Sequence, residues 1–274
     1  MTDRLTAMLE EEECAPGDRI YAEGEPPDHF YMLRQGRLEF LTKDRPVEII
    51  EGPRAFGMID ALVGRPRTTS AVAASPVQLL RIPSEAWFEL LEDCFELART
   101  SVLALARATA AAEERVWARG VAPSTPPPPP LDGSSRPLDI VERAALLMHT
   151  PVFRGVGVQP VSDLAAAAEE VQFAAGGLLF ERGSCDRVFV IVEGRVEADR
   201  RDPPVAWKGG PGQIVCESVC FGALASSWEA RAVTRTRALT FGVDDWFDVL
   251  QENFEMVRAT LATFARERER LLAA

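Results

Sequence analysis

The stretch PGDRIYAEGEPPDHFYMLRQGRLE at residues 16–39 can be laid over AGGLLFERGSCDRVFVIVEGRVE at residues 175–197. Gly17 falls on Gly176, Tyr21 on Phe180 and Gly24 on Gly183. After a one-residue adjustment Asp28 falls on Asp186, Tyr31 on Phe189 and Gly36-Arg37 on Gly194-Arg195. A second pair follows in the same order: WFELLEDCFELAR at 87–99 and WFDVLQENFEMVR at 246–258. It shares Trp87/Trp246, Phe88/Phe247, Phe95/Phe254, Glu96/Glu255 and Arg99/Arg258. Two matched blocks in one order mean an internal duplication. An offset of 159 residues between Trp87 and Trp246 makes each copy a whole domain, not a solenoid repeat.

Each copy reads as strands first and helix last. Residues 19–22, 29–33 and 37–42 alternate or run apolar between Gly, Pro and Asp turns, and 178–181, 188–192 and 195–198 repeat this. Residues 77–82 and 238–243 read as last strands. Helical spacing of apolar residues then runs from Trp87 to Trp117 and from Trp246 to Leu272. Short helices are expected ahead of the strands, at 2–12 in the first copy and through VERAALLMHTPVF and VSDLAAAAEEV in the second. Many short strands with glycine turns, closed by helices, predict a mainly β chain with helices. Its architecture is two tandem jelly-roll β-barrels, each closed by C-terminal helices.

The break between the copies is ARGVAPSTPPPPPLDGSSRPLD at 118–139, where Pro126 to Pro130 forbid helix and central strand. The expected domains are therefore 1–118 and 139–274, joined by a proline-rich linker at 119–138.

The chain of 274 residues has 47% hydrophobic and 26% charged residues, the composition of a soluble globular protein of about two domains. A net charge of −12 excludes a broad basic face for nucleic acid or anionic lipid, while leaving room for a local pocket for one small anion. No run approaches the ~20 apolar residues of a membrane helix, and the acidic N-terminus lacks a signal-peptide core. Five irregularly spaced cysteines suit reduced thiols in a cytoplasm, and Ala-, Arg- and Pro-rich usage is that of a GC-rich, bacterial genome. Cys216 and Cys220 have no second Cys or His pair beside them to make a metal site. With His29 and His149 as the only histidines, and no nucleophile motif, P-loop or Rossmann fingerprint, the chain does not read as an enzyme.

APGDRIYAEGEPPDHFYMLRQGRLE and PVFRGV…DLAAAAEEVQFAAGGLLFERGSCDRVFVIVEGRVE resemble the opening of cyclic-nucleotide-binding domains, as in catabolite-activator regulators and protein kinase A regulatory subunits. The resemblance implies a phosphate-binding cassette of the form F-G-E, seven residues, then P-R and small hydroxyl residues. In AFGMIDALVGRPRTTSAV, 55–72, Phe56-Gly57 are followed at that spacing by Pro66-Arg67-Thr68-Thr69-Ser70. Arg67 is the implied phosphate ligand, since a guanidinium forks onto two phosphate oxygens. Backbone N–H groups after Gly57 and the hydroxyls of Thr68 and Thr69 add donors. The ribose-binding Glu is replaced by Met58, whose thioether is a poor acceptor; Asp60 is the nearest substitute.

In IVCESVCFGALASSWEARAV, 214–233, the ribose carboxylate is kept as Glu217, but Cys216 stands for Gly. The arginine position falls on Glu229 with a gap or on Ser226 without one, and neither binds phosphate by charge. Glu217 is thus a ribose ligand or a leftover helix-capping carboxylate. Trp117 and Phe264 on the final helices are purine caps or packing residues. The runs 10–13 and 266–270 read as solvated faces.

Two readings follow. In one the chain is a non-enzymatic cyclic AMP or cyclic GMP sensor, with no other cofactor and no metal, that signals to a protein partner by moving the helix after Trp87. In the other it is a ligand-free scaffold of the same fold. The leucine stripe after Ser101, two to three turns long, is a candidate homodimer seam.

Overall fold

The computed structural model describes residues 9–117, 136–153, 156–183, 186–201, 204–222 and 228–272. The expected linker thus lies, up to Ser135, outside the described residues. Spatial contacts divide the chain into two compact units, Met1–Leu97 and Ala98–Ala274.

The first unit opens with β1 (Glu10–Cys14), β2 (Arg19–Tyr21), β3 (His29–Gln35), β4 (Arg37–Thr42), β5 (Arg45–Glu51) and β6 (Arg54–Phe56). A short helix α1 (Met58–Val63) leads to β7 (Ser70–Ala73), β8 (Val77–Pro83) and α2 (Ser84–Asp93). All pairings are antiparallel, in two four-stranded sheets of order β1-β8-β3-β6 and β2-β7-β4-β5. Tyr31, Leu33, Phe56 and Leu79 from one sheet and Tyr21, Leu38, Phe40 and Ala71 from the other form one buried cluster. The two sheets therefore pack face to face, as a jelly roll requires. The period of two in β3 sends Tyr31 and Leu33 into that core. It sends Phe30 to the opposite face, edge-on to Trp87 and Phe88 of α2 at 6.2 and 5.8 Å.

The second unit takes in most of α3 (Phe95–Trp117), then α4 (Ile140–His149), a 3-10 turn Pro151–Phe153 and α5 (Val158–Ala167). Its strands are β9 (Glu169–Phe173), β10 (Leu178–Phe180), β11 (Arg187–Glu193), β12 (Val196–Arg201) and β13 (Pro204–Gly209). After α6 (Glu217–Phe221) come β14 (Trp228–Ala232), β15 (Thr236–Gly242), α7 (Val243–Glu252) and α8 (Phe254–Leu272). The sheets are β10-β14-β12-β13 and β11-β15-β9, and a bridge from Val190 to Ile214 adds the place that β6 fills in the first unit.

The duplicated residues do the same work twice. Gly36 and Gly194 hold φ of +97° and +93° at the β3–β4 and β11–β12 hairpins. A Cβ there would stand 2.3 Å from the Pro76 carbonyl oxygen or 2.5 Å from that of Arg235, so only glycine fits. The N–H groups of Arg37 and Arg195 then donate to Ser75 Oγ and Thr234 Oγ1. The matched aspartates accept through their carbonyls from the first N–H of the following helix, Ser84 on Asp28 and Val243 on Asp186.

Several expectations are corrected. Glu10–Glu13 is not helix, because it forms β1, and its carboxylates stand on an exposed face as expected. Glu10 pairs with Arg81 at 2.6 Å, Glu11 with Arg34 at 2.9 Å, and Glu13 accepts from Gln78. Cross-strand cations let four carboxylates stand side by side in a strand. The helix read through VSDLAAAAEEV stops at Ala167, where the chain turns into β9. The helix read from Trp87 to Trp117 breaks at Cys94 (φ −134°), and its counterpart breaks at Asn253 (φ −137°). Cys14, Cys94 and Cys216 are outside any disulfide, but Cys220 is disulfide-bonded, contrary to five reduced thiols. Among the described residues no helix is long and apolar enough to cross a membrane.

Candidate functional site

In the first unit the cassette begins at the end of β6. Phe56 is buried in the core, and Gly57 takes φ +75° to cap α1, which Gly64 closes at φ +71°. The chain then returns to the barrel through Arg65–Thr69. Arg67 is pinned there by its backbone: its N–H donates to the Glu25 carbonyl at 2.8 Å, and its carbonyl accepts from Gly24 N–H at 2.9 Å. The glycine of the matched block thus fixes the arginine of the cassette.

The Arg67 side chain is only 3% exposed. Its Nη1 donates to the Gly57 carbonyl and its Nη2 to the His29 carbonyl. Its guanidinium carbon lies 4.3 Å above the Tyr21 ring and 5.9 Å from that of Tyr31. Tyr31 stacks on Phe56 at 5.0 Å, completing an aromatic floor. Arg67 Nε is sealed from solvent without an acceptor, and among the described residues no carboxylate pairs with this cation. The burial that surrounds it also pushes the Tyr21 phenol up to about 12, against the opposing pull of Arg67.

The other implied ligands are distributed around that centre. Gly57 gives the guanidinium its room, since a Cβ there would stand 3.1 Å from Arg67 Nη1 and from Tyr31 Cδ2, and one of them would have to give. Met58 is half-buried at the start of α1, and Pro66 and Thr68 are exposed. Thr69 is half-buried. Asp60 is no ribose acceptor. It is 7% exposed and receives Arg65 Nε at 2.9 Å and the N–H and hydroxyl of Thr68, so its oxygens brace the loop. Sequence reasoning missed the aromatic platform, although the signal was there: the chain has two tyrosines, and both lie against Arg67.

In the second unit Cys216 takes the glycine position at φ +48°, a left-handed conformation that a side chain enters at a cost of about 1–2 kcal/mol. Strand register resolves the alternative alignments downstream. Leu38 pairs with Ala73 and Val196 with Ala232, so Ser70 and Glu229 are equivalent and the arginine position is Ser226. Ser226 lies outside the described residues. Glu229 is no cassette residue, because it sits in β14 between Arg182 at 2.9 Å and Arg231 at 2.7 Å.

Glu217 begins α6 with Oε1 shut off from solvent and unbonded. Burial, then the charges of Glu113 and Glu267, push its carboxyl up to about 8. Glu113, on α3, was not singled out by sequence; its carboxylate accepts from Ser218 Oγ and is likewise pushed up to about 8, chiefly by burial. Of the two aromatic cap candidates, Phe264 is a core residue, 2% exposed and edge-on to Phe221 at 6.2 Å. The Trp117 side chain lies outside the described residues. Among those residues, no group of three or more His, Cys, Asp or Glu could hold a metal ion.

Comparison with known proteins bears on both copies. A cAMP-dependent protein kinase regulatory subunit of Yarrowia lipolytica is 30% identical over 85 residues, covering 31% of this chain and 23% of that protein. One from Hypocrea atroviridis is 31% identical over 88 residues, covering 32% of this chain and 19% of its own length. The matched segments thus span less than a quarter of these curated relatives. The regulatory domain of Toxoplasma gondii PKA, solved with cAMP, aligns over 92% of this chain and 87% of its own. It does so at 14% identity and a TM-score of 0.36. Residues 11–94 and 170–253, the two duplicated units and more than half of the sequence, each match the Cyclic nucleotide-binding domain family, to which this chain belongs.

Proposed function

We propose that the chain is a non-enzymatic regulatory sensor whose first domain binds a cyclic nucleotide, cyclic AMP or cyclic GMP, through Arg67. The observation that carries this is a buried guanidinium without a counter-anion. Desolvating a cation costs several kcal/mol unless it is paired. Two carbonyls and a tyrosine face offset part of that cost. They leave Nε–H and further Nη hydrogens for two oxygens of a phosphodiester, which a planar fork matches in geometry. A buried cation without a counter-anion is expected in a site for an anionic ligand; in a ligand-free scaffold, apolar packing would be more stable.

The response runs through His29. Its carbonyl holds Arg67, and the two residues before it anchor α2: Ser84 Oγ donates to the Pro27 carbonyl at 2.6 Å and its N–H to Asp28. A phosphate that draws Arg67 aside loosens this corner, and α2 moves. The proposed recipient is a protein partner, a role supported by the regulatory-subunit names of the curated relatives. A cytoplasmic setting in a bacterium and a homodimer belong to the same proposal.

Thermal denaturation with cyclic AMP and cyclic GMP tests it. Ligand at 100-fold its Kd adds about 2.7 kcal/mol of stability. The gain is expected in the wild type and in Glu229→Ala and absent in Arg67→Glu. No shift with either nucleotide would favour the scaffold reading.

A further inference from the structure

From Ala98 onward helix α3 belongs to the second unit, and there it packs on the second cassette. Ala110, Ala112 and Val116 share a buried cluster with Val215, Cys216, Val219 and Trp228. Arg107 Nε donates to the carbonyl of Gly222, at the far end of α6, at 2.7 Å. Glu114 pairs with Arg200 of β12 at 2.5 Å. Among these contacts Glu113 accepts from the Ser218 hydroxyl, one residue from Glu217 with its sealed, unbonded oxygen. Three elements of contact put one helix over the residues that the family resemblance assigns to ribose.

We infer that α3 is itself the occupant of the second ligand site: the chain's own helix, docked through Glu113 on Ser218 beside Glu217, closes that site to nucleotide and is released when both carboxyls are ionised. The charges facing the pair are mostly negative, with Arg270 alone pulling the Glu113 carboxyl down. From α8 come Glu267 and Arg270, but Arg270 is committed to Glu267 at 2.5 Å. From α3 itself comes Glu114, whose partner Arg200 is the charge on β12. From the start of α6 comes the Cys216 thiol, which burial and Glu113 keep protonated. Glu267 and Glu114 have a guanidinium each, Arg270 and Arg200, while Glu113 and Glu217 have none, so this pair cannot both be anionic behind an apolar seal without repulsion. A carboxyl raised above its ordinary value on docking gives a contact that is complete below the usual carboxylate range. That contact is lost as pH rises through about 8.

Hydrogen exchange of the full chain without nucleotide, corrected for intrinsic rates, at pH 6 and pH 9, tests this. Protection of residues 98–117 should fall by about 100-fold at pH 9 in the wild type, while β11 amides keep theirs. Glu217→Gln, or Glu113→Gln if the first variant does not fold, should keep α3 protected at both values. Equal wild-type protection at the two pH values would overturn the inference, as would an unchanged loss in the Gln variant. Because no nucleotide is present and Arg67 is untouched, this outcome is independent of the sensor reading.

Discussion

Gly57→Ala and Gly64→Ala place the same methyl group at the two ends of α1, in nearly the same backbone conformation. The φ values are +75° and +71°. A left-handed alanine costs about 1–2 kcal/mol at either site. The surroundings differ. At Gly64 nothing lies within 4 Å of the new Cβ, whereas at Gly57 it meets Arg67 Nη1 and Tyr31 Cδ2, both at 3.1 Å. Tyr31 is stacked in the core, so the guanidinium must give way, and its bond to the Gly57 carbonyl weakens. That adds about 1 kcal/mol. Gly64→Ala should therefore destabilise the first domain by about 1–2 kcal/mol and Gly57→Ala by about 2–3 kcal/mol. For a domain of this size each kcal/mol lowers Tm by about 4–8 °C. Affinity separates the two further. A displaced fork costs one charge-assisted hydrogen bond, about 1.5–3 kcal/mol, or 10-fold or more in Kd. Gly64→Ala should bind with nearly wild-type affinity. Thermal denaturation gives the first quantity and titration calorimetry with cyclic AMP the second. Equal affinity losses in the two variants would refute the claim that Gly57 is kept for the arginine.

Other consequences are as direct. Arg67→Met should abolish binding while leaving ligand-free stability within about 1 kcal/mol of wild type, because a buried unpaired cation is exchanged for an apolar side chain of similar length; denaturant melts check it. Arg237 is 7% exposed and held by Glu170 at 2.8 Å and Glu193 at 2.7 Å, so Arg237→Ala should cost the second domain about 3–5 kcal/mol. Glu217→Gln should flatten the pH dependence of second-domain stability. Its raised carboxyl makes the wild type lose on the order of 2–5 kcal/mol between about pH 4.5 and 8, and urea midpoints across that range read the slope.

The duplication was legible because glycine and aromatic positions are dictated by geometry that recurs in each copy. Gly36 and Gly194 face a carbonyl that no side chain clears, and the same pressure preserved both. β1 was not legible, since four glutamates in a row carry no strand signal; what makes them a strand is Arg34, Arg81 and Gln78, brought close only by the fold. Arg67 and its spacing to Gly57 could be read directly, but the absence of a counter-ion and the tyrosine face are tertiary facts. Asp60 looked free in sequence, yet three local donors claim it. Glu113 was hidden in a helix whose pattern shows only which residues are apolar, and its environment comes from residues more than a hundred positions away. At the second cassette two alignments were open until strand pairing fixed Glu229 opposite Asp199.

Side-chain ¹H–¹⁵N correlation spectra of the arginine Nε–H groups reach the central claim without an intermediary. Titrated with cyclic AMP or cyclic GMP, one resonance, missing from Arg67→Lys, should move and saturate at one nucleotide per chain. If that resonance stays where it is at millimolar nucleotide, the buried guanidinium does not meet a phosphate and the sensor account is contradicted.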